Sequence, residues 1–406
     1  MTNHALLGGL TPSAFLTRHW HRKARLIRGA IPRFTGILSL SALQRLAERD
    51  DVESRLVLRE GRAWQLEHGP FFPRRWRTLP PTNWTLLVQG VNYFVPAAAV
   101  LLEKFRFLSY ARLDDVMVSY AAPGGGVGPH LDSYDVFLLQ GPGRRRWRIG
   151  SRIGPASAPR LRSDTPLKIL ARFSPTDSWV LDAGDMLYLP PSIAHEGVAL
   201  DACTTYSIGF RAPTAFELGA QWLTYVEEHP LAHRLGGVKR YGDAGVTATR
   251  TPAAIPTAML DYALATIQRL AATRTDVAGA LGCHLTTPKS HIVFDPPAQP
   301  LSARAFRLAA TKRGLRLDLR TSMLYDRINV YMNGEPHTVP RPARPAIELL
   351  ANDRTLAGGD LSVTAQPLLP VLYDWYRAGY LYLDDHDPCP RPSGPRAQPT
   401  SDSKRD

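Results

Sequence analysis

Pro-Gly-Gly-Gly-Val-Gly-Pro-His-Leu-Asp (residues 123–132) and Gly-Asp-Met-Leu-Tyr-Leu-Pro-Pro-Ser-Ile-Ala-His (residues 184–195) decide the reading of this chain. Between them they offer two histidines and one carboxylate, His130, Asp132 and His195. Two imidazoles and a carboxylate, with coordination positions left open, form the ligand set of non-haem Fe(II) oxygenases. His130 and Asp132 are two positions apart, so a β-strand there would project both from one face. A lone His-x-Asp carries little information. The glycine-rich approach to the first pair and the Gly-Asp…Pro-Pro…His approach to the third ligand make the combination far more specific. Gly124-Gly125-Gly126 is not a phosphate loop, because no Gly-Lys-Ser/Thr follows and no helical pattern begins there.

Between and after the two motifs lie strand-like runs at 134–140, 146–149, 179–182, 185–189 and 204–210. Turn residues such as Gly141-Pro142-Gly143 separate them, as short antiparallel strands require. Many short strands folding back on themselves predict a double-sheet jelly roll, in which ligands from distant strands converge on one ion.

Arg144-Arg145-Arg146-Trp147-Arg148 follows that turn. Such a run suggests a nucleic-acid patch, but on a strand only alternate arginines can face inward. An inward arginine needs an anion, and its planar fork suits a carboxylate. In an Fe(II) oxygenase that carboxylate is the distal end of 2-oxoglutarate.

These residues resemble the JmjC-domain hydroxylases, and in particular the bacterial ribosomal oxygenases. The resemblance rests on residues 114–119, 123–135, 140–141, 143–148, 184–185, 195–197 and 206–213, with 15–30 as the N-terminal approach. It implies a cupin barrel in which His130, Asp132 and His195 hold Fe(II) and Arg145 binds the distal carboxylate of 2-oxoglutarate. Ser119, Tyr120 and Ser207 are further candidate hydrogen-bonding positions. The implied reaction uses O2, yields succinate and CO2, and hydroxylates the β-carbon (C3) of an arginine in a large-subunit ribosomal protein. Asp114, Asp115, Tyr134 and Asp135 are candidates to receive the guanidinium. Ala121 and Ala122 stand where a more polar pair is expected, and Thr205 where Asn is expected, which leaves the outer hydrogen bonds open. Other JmjC activities, histidine hydroxylation or lysine demethylation, remain alternatives, as does a non-enzymatic winged-helix nucleic-acid binder. A cupin using His-x-His plus Glu is disfavoured, because Asp132 stands in place of the second histidine.

The chain has 406 residues, and 49 Lys plus Arg against 36 Asp plus Glu leave a net charge of +13. That excess fits proximity to rRNA but is awkward for a basic protein substrate. There is no run of 18 apolar residues, so no membrane segment is expected, and no signal peptide is visible. The three cysteines lack paired spacing, which favours a reducing, cytoplasmic location.

The fold expected is α+β, divided at 1–213 for the jelly-roll barrel, 214–278 for a helical dimerisation region, 279–388 for a winged-helix-like domain and 389–406 for a disordered tail. Leu218, Trp222, Tyr225 and Val226 follow helical spacing, as do Leu260, Ala263, Leu264, Ile267 and Ala271. Those short helices cannot bury an apolar face alone, and the family resemblance points to a homodimer. Further on, helices are expected at 303–312, 346–351 and 368–378, strands at 315–319 and 380–383, and a hairpin turn at Asn333-Gly334.

Overall fold

Strands that are apolar on both faces must lie in a sheet covered on both sides. Val136-Phe137-Leu138-Leu139 is such a run, and it forms the buried middle of a sheet. A computed structural model describes residues 5–154, 159–211, 213–228, 257–268, 273–361 and 363–384. The tail expected at 389–406, and residues 229–256 and 269–272 of the expected helical region, Ala271 among them, lie outside these. The chain divides into two compact units, Met1–Val293 with Leu319–Thr338, and Phe294–Asp318 with Val339–Asp406.

In the first unit the strands are β1 (Arg25–Ile27), β2 (Ser54–Glu60), β3 (Ala63–His68), β4 (Trp84–Val88), β5 (Leu113–Ala121), β6 (Asp135–Gln140), β7 (Arg145–Arg152), β8 (Pro175–Leu181), β9 (Met186–Leu189), β10 (Ile193–Ala199) and β11 (Cys203–Phe210). Eight form one antiparallel sheet in the order β1-β9-β6-β11-β5-β4-β2-β3, and the other three form β10-β7-β8. This is the jelly roll expected from the sequence. Strand alternation gives the large sheet two hydrophobic faces. Phe137, Leu139, Tyr188, Tyr206 and Phe210 face outward and pack with Phe15 and Trp20 from the N-terminal segment. Val136, Leu138, Leu187 and Leu189 face inward and meet Trp147, Ile149 and Leu181 of the small sheet. The turn between β6 and β7 requires glycine: Gly143 has φ +76°, and a Cβ there would lie 2.1 Å from the Ala202 carbonyl oxygen.

One expectation is corrected. His130 and Asp132 do not sit on a regular strand. They lie on an irregular segment that meets β10 at Ala199, through Gly124 N–H and the Gly125 carbonyl, and again at one isolated bridge, where His130 N–H and His195 N–H each donate to the other's carbonyl at 3.0 Å. The glycines and prolines of 123–129 interrupt the ladder before it can extend.

The expected helices at 218–226 and 260–271 are found as Ala215–Glu228 and Thr257–Gln268. Beyond them are β12 (Leu315–Leu317), β13 (Met323–Tyr325), β14 (Asn329–Met332), β15 (Glu335–Thr338), β16 (Thr355–Leu356) and β17 (Leu381–Leu383). The β14–β15 turn at Asn333-Gly334 has positive φ at both residues, 51° and 96°, as a tight hairpin demands. The β13-β14-β15 sheet belongs to the first unit and packs on the helix Arg274–Thr286, where Gly282 makes room for the Tyr331 ring. In the second unit, helices Ala303–Arg313, Arg344–Asp353 and Leu369–Arg377 accompany a β16-β12-β17 sheet. Its buried residues include Phe306, Ile347, Leu350, Leu372 and Trp375.

Candidate metal centre and co-substrate pocket

A cavity of about 420 Å³ opens between the two sheets of the first unit. Inward-facing residues from both sheets line it: Met117 and Ser119 of β5, Ser207 of β11, Arg145 and Trp147 of β7, and His195 of β10.

His130, Asp132 and His195 meet at one side of this cavity, each offering a ligand atom within 4.8 Å of the others. His195 Nε2 lies 3.5 Å from one Asp132 carboxylate oxygen, and His130 Nε2 lies 4.0 Å from the other. The Nδ1 atoms point away, each 2.9 Å from the carbonyl of the residue two positions earlier, Gly128 for His130 and Ile193 for His195. A carbonyl can only accept, so each Nδ1 carries a proton, which leaves Nε2, turned toward the carboxylate, as the atom free to act as a ligand. Outer hydrogen bonds of this kind fix ligand tautomer and ring orientation at metal sites. The donor set therefore fits a divalent metal with positions left open.

Burial, together with the nearby His130, lowers the His195 pKa to about 4, although Asp132 opposes the change. His195 thus stays neutral at working pH, as a ligand must. Between about 6.5 and 4 the unfolded chain takes up a proton that folded His195 refuses, so metal-free protein loses stability as pH falls through that window. The component is about 3 kcal/mol. Thermal midpoints measured without metal should fall across it, and His195→Gln should remove that part of the slope.

The basic run resolves as alternation requires. Arg144 pairs with Asp201, Arg146 is exposed and Arg148 pairs with Glu196. Arg145 alone of the four turns inward and is 4 % exposed. Its Nη1 donates to Ser119 Oγ at 3.3 Å, while Nε and Nη2 are buried without a partner. Leaving a buried cation uncompensated costs several kcal/mol, so this is a place prepared for an anion. The Trp147 ring lies 5.8 Å from this guanidinium and 6.0 Å from the His195 ring. Trp147 thus joins the anion site to the histidine cluster, a role the sequence reading missed although residues 145 and 147 share a strand face. Opposite it, Gly197 is bare because a Cβ would lie 2.8 Å from the indole.

Ser119 and Ser207 both line the cavity. Tyr120 does not. Strand parity sends it to the other face of β5, where it packs against Trp84. Asp135 is likewise withdrawn, because it shares parity with Phe137. It is fully buried on the outer face with Tyr188, His21 and Arg112. Tyr134 lines the cavity. Asp114 and Asp115 stand outside its lining and share the Lys289 ammonium, at 3.2 and 3.0 Å. Burial pushes the Asp115 carboxyl up, while Lys289 opposes this. Gln89 lines the cavity and donates to both Asp115 oxygens, at 3.0 and 2.9 Å. Thr205, at the position where Asn was expected, turns its hydroxyl to Gln140.

Residues 100–218 match the JmjC domain family, and residues 268–382 match the ROXA-like winged helix. The chain is 34 % identical to the ribosomal protein uL16 3-hydroxylase of Escherichia coli (strain K12) over 379 residues, 91 % of this chain and 97 % of that one. The crystal structure of E. coli YcfD superposes with a TM-score of 0.80 at 34 % identity, covering 92 % of this chain and 98 % of that one. A YcfD structure described as a ribosomal oxygenase in complex with cobalt and 2-oxoglutarate gives 0.78 at 33 %, with the same coverage. A barrel, a two-histidine–one-carboxylate cluster, a buried arginine and near full-length similarity converge, and the chain belongs to the JmjC-domain ribosomal oxygenases.

Proposed function

We propose that this chain is an Fe(II)- and 2-oxoglutarate-dependent protein hydroxylase acting on the β-carbon of an arginine in a large-subunit ribosomal protein. The observation that carries the reading is the buried, half-partnered Arg145 guanidinium in the same cavity as His130, Asp132 and His195. The three side chains would hold Fe(II). Arg145, with Ser119 beside it and Ser207 nearby, would hold the distal carboxylate of 2-oxoglutarate. When bound, the metal and co-substrate supply, with O2, the oxidising power to hydroxylate an unactivated carbon, releasing succinate and CO2.

The chain's own contribution is placement. Gly128 and Ile193 carbonyls fix the histidine rings, and Arg145 sets the co-substrate's orientation from its far end. Val57, Leu66, Leu87, Met117, Val136 and Leu138 line the cavity and exclude water from the reacting carbon. Tyr134 and Gln89 offer the polar groups a guanidinium would meet on that wall. The uL16 activity named for the E. coli relative supports uL16 as the substrate. The test is succinate formation by purified chain with Fe(II) and 2-oxoglutarate. Stimulation by large-subunit ribosomal proteins supports the reading, and its absence refutes the substrate class. Formaldehyde release would instead indicate demethylation.

The reading extends to a cytoplasmic homodimer working near rRNA. Among the described residues, no helix is long and apolar enough to cross a membrane. Leu223, Leu260, Leu264 and Ile267 are exposed on the helices Ala215–Glu228 and Thr257–Gln268, with Ile267 at 64 %. Apolar faces of this kind fit association with a second copy. Leu264→Arg should shift the native mass from dimer to monomer, and unchanged mass would place the interface elsewhere. The net charge of +13 supports rRNA proximity.

A further inference from the structure

His195 and His130 are secured unequally. His195 belongs to β10, paired along β7, and its side chain is 2 % exposed, whereas the His130 side chain is 25 % exposed and its backbone meets β10 only at the His195 bridge. A second support reaches the His130 segment from the connection between β7 and β8. There residues 160–171 fold into a small hairpin with a bridge between Leu161 and Leu170, closed by Arg162 N–H to the Ile169 carbonyl and Ala171 N–H to the Arg160 carbonyl, both 2.8 Å.

One end of this hairpin grips the segment directly before His130. Leu170 N–H donates to the Pro129 carbonyl at 2.8 Å. Ile169, 2 % exposed, presses its side chain on Gly128, where a Cβ would lie 2.8 Å from Ile169 Cδ1. Gly128 is also the residue whose carbonyl orients the His130 ring. The other end is tied to the β2–β3 turn by Arg162 Nη2 donating to the Arg62 carbonyl at 3.1 Å. Between these ties Pro166, Leu167 and Lys168 line the cavity.

We propose that this hairpin is the second wall of the metal site and that Ile169 is a positioning residue for His130, acting through Gly128. The inference rests on the metal assignment proposed above. Packing on Gly128 holds the carbonyl that fixes the His130 tautomer and ring angle. Ser192 N–H holds the Asp132 carbonyl at 2.9 Å at the far end of 128–132, and at the Gly128–Pro129 end Ile169 and Leu170 give the restraint that a neighbouring strand would otherwise give. Losing an outer partner of a metal-ligating histidine weakens metal binding about 10- to 100-fold, and loss of the Ile169 contact should act the same way.

The test is Co(II) titration of the full chain, followed by its visible absorption, with thermal midpoints of metal-free protein recorded alongside. Ile169→Ala should weaken Co(II) binding by about tenfold or more and alter the absorption band. Ile169→Val, which deletes the Cδ1 that abuts Gly128, should fall between it and the unaltered chain. Leu161→Ala removes an exposed side chain from the same hairpin and should leave Co(II) binding unchanged. Equal binding and equal spectra in the folded Ile169 variants, whatever their midpoints, would overturn this inference alone. Failure of the unaltered chain to bind Co(II) would overturn the metal assignment with it.

Discussion

His195→Ala is expected to abolish 2-oxoglutarate turnover. His195 contributes one of only three ligand groups, and it is the one most firmly fixed, 2 % exposed within the β10 ladder. Alanine leaves no donor there, and no neighbouring His, Cys, Asp or Glu among the described residues completes the cluster. Since losing even an outer hydrogen bond to a ligand costs about 10–100-fold in metal affinity, losing the ligand itself costs more. Removing it also removes a buried group that resists protonation, so the metal-free variant should lose less stability than the unaltered chain as pH falls from about 6.5 to 4. Turnover persisting in His195→Ala, measured as succinate at saturating Fe(II), would exclude the assigned ligand set.

Arg145→Ala is expected to act on the co-substrate, leaving the metal in place. The guanidinium touches Ser119 but none of the three ligands, and its remaining buried N–H groups await a partner. Truncating one member of a buried charge pair costs about 2–5 kcal/mol, roughly 30- to several thousand-fold in affinity. The KM for 2-oxoglutarate should rise by such a factor while Co(II) affinity stays near its original value. Lysine should rescue only in part, because a single ammonium cannot reproduce two parallel hydrogen bonds. An unchanged KM would show that the distal carboxylate binds elsewhere.

These effects differ in how far the sequence discloses their cause. The histidines and the aspartate are legible because ligand chemistry restricts residue type, and the motifs around them are glycine- and proline-rich for steric reasons. That Arg145 is the inward arginine follows from strand parity once the ends of β7 are known, and the family resemblance had already singled it out. Parity also explains the errors. Tyr120 and Asp135 sit beside true cavity residues in sequence, yet adjacent strand positions face opposite sides. The two-residue spacing of His130 and Asp132 suggests a shared strand because spacing alone cannot reveal a broken ladder. Other features depend on distant pairings. Lys289 meets Asp115 from 174 positions away, and the 160–171 hairpin reaches Gly128 through packing that no local pattern announces.

Intact-mass analysis of ribosomal proteins incubated with the purified chain, Fe(II), 2-oxoglutarate and ascorbate tests the central claim most directly. The expected result is the gain of one oxygen atom by one large-subunit protein, mapped to an arginine β-carbon and absent when 2-oxoglutarate is withheld. Unchanged masses throughout, with no succinate formed, would contradict it.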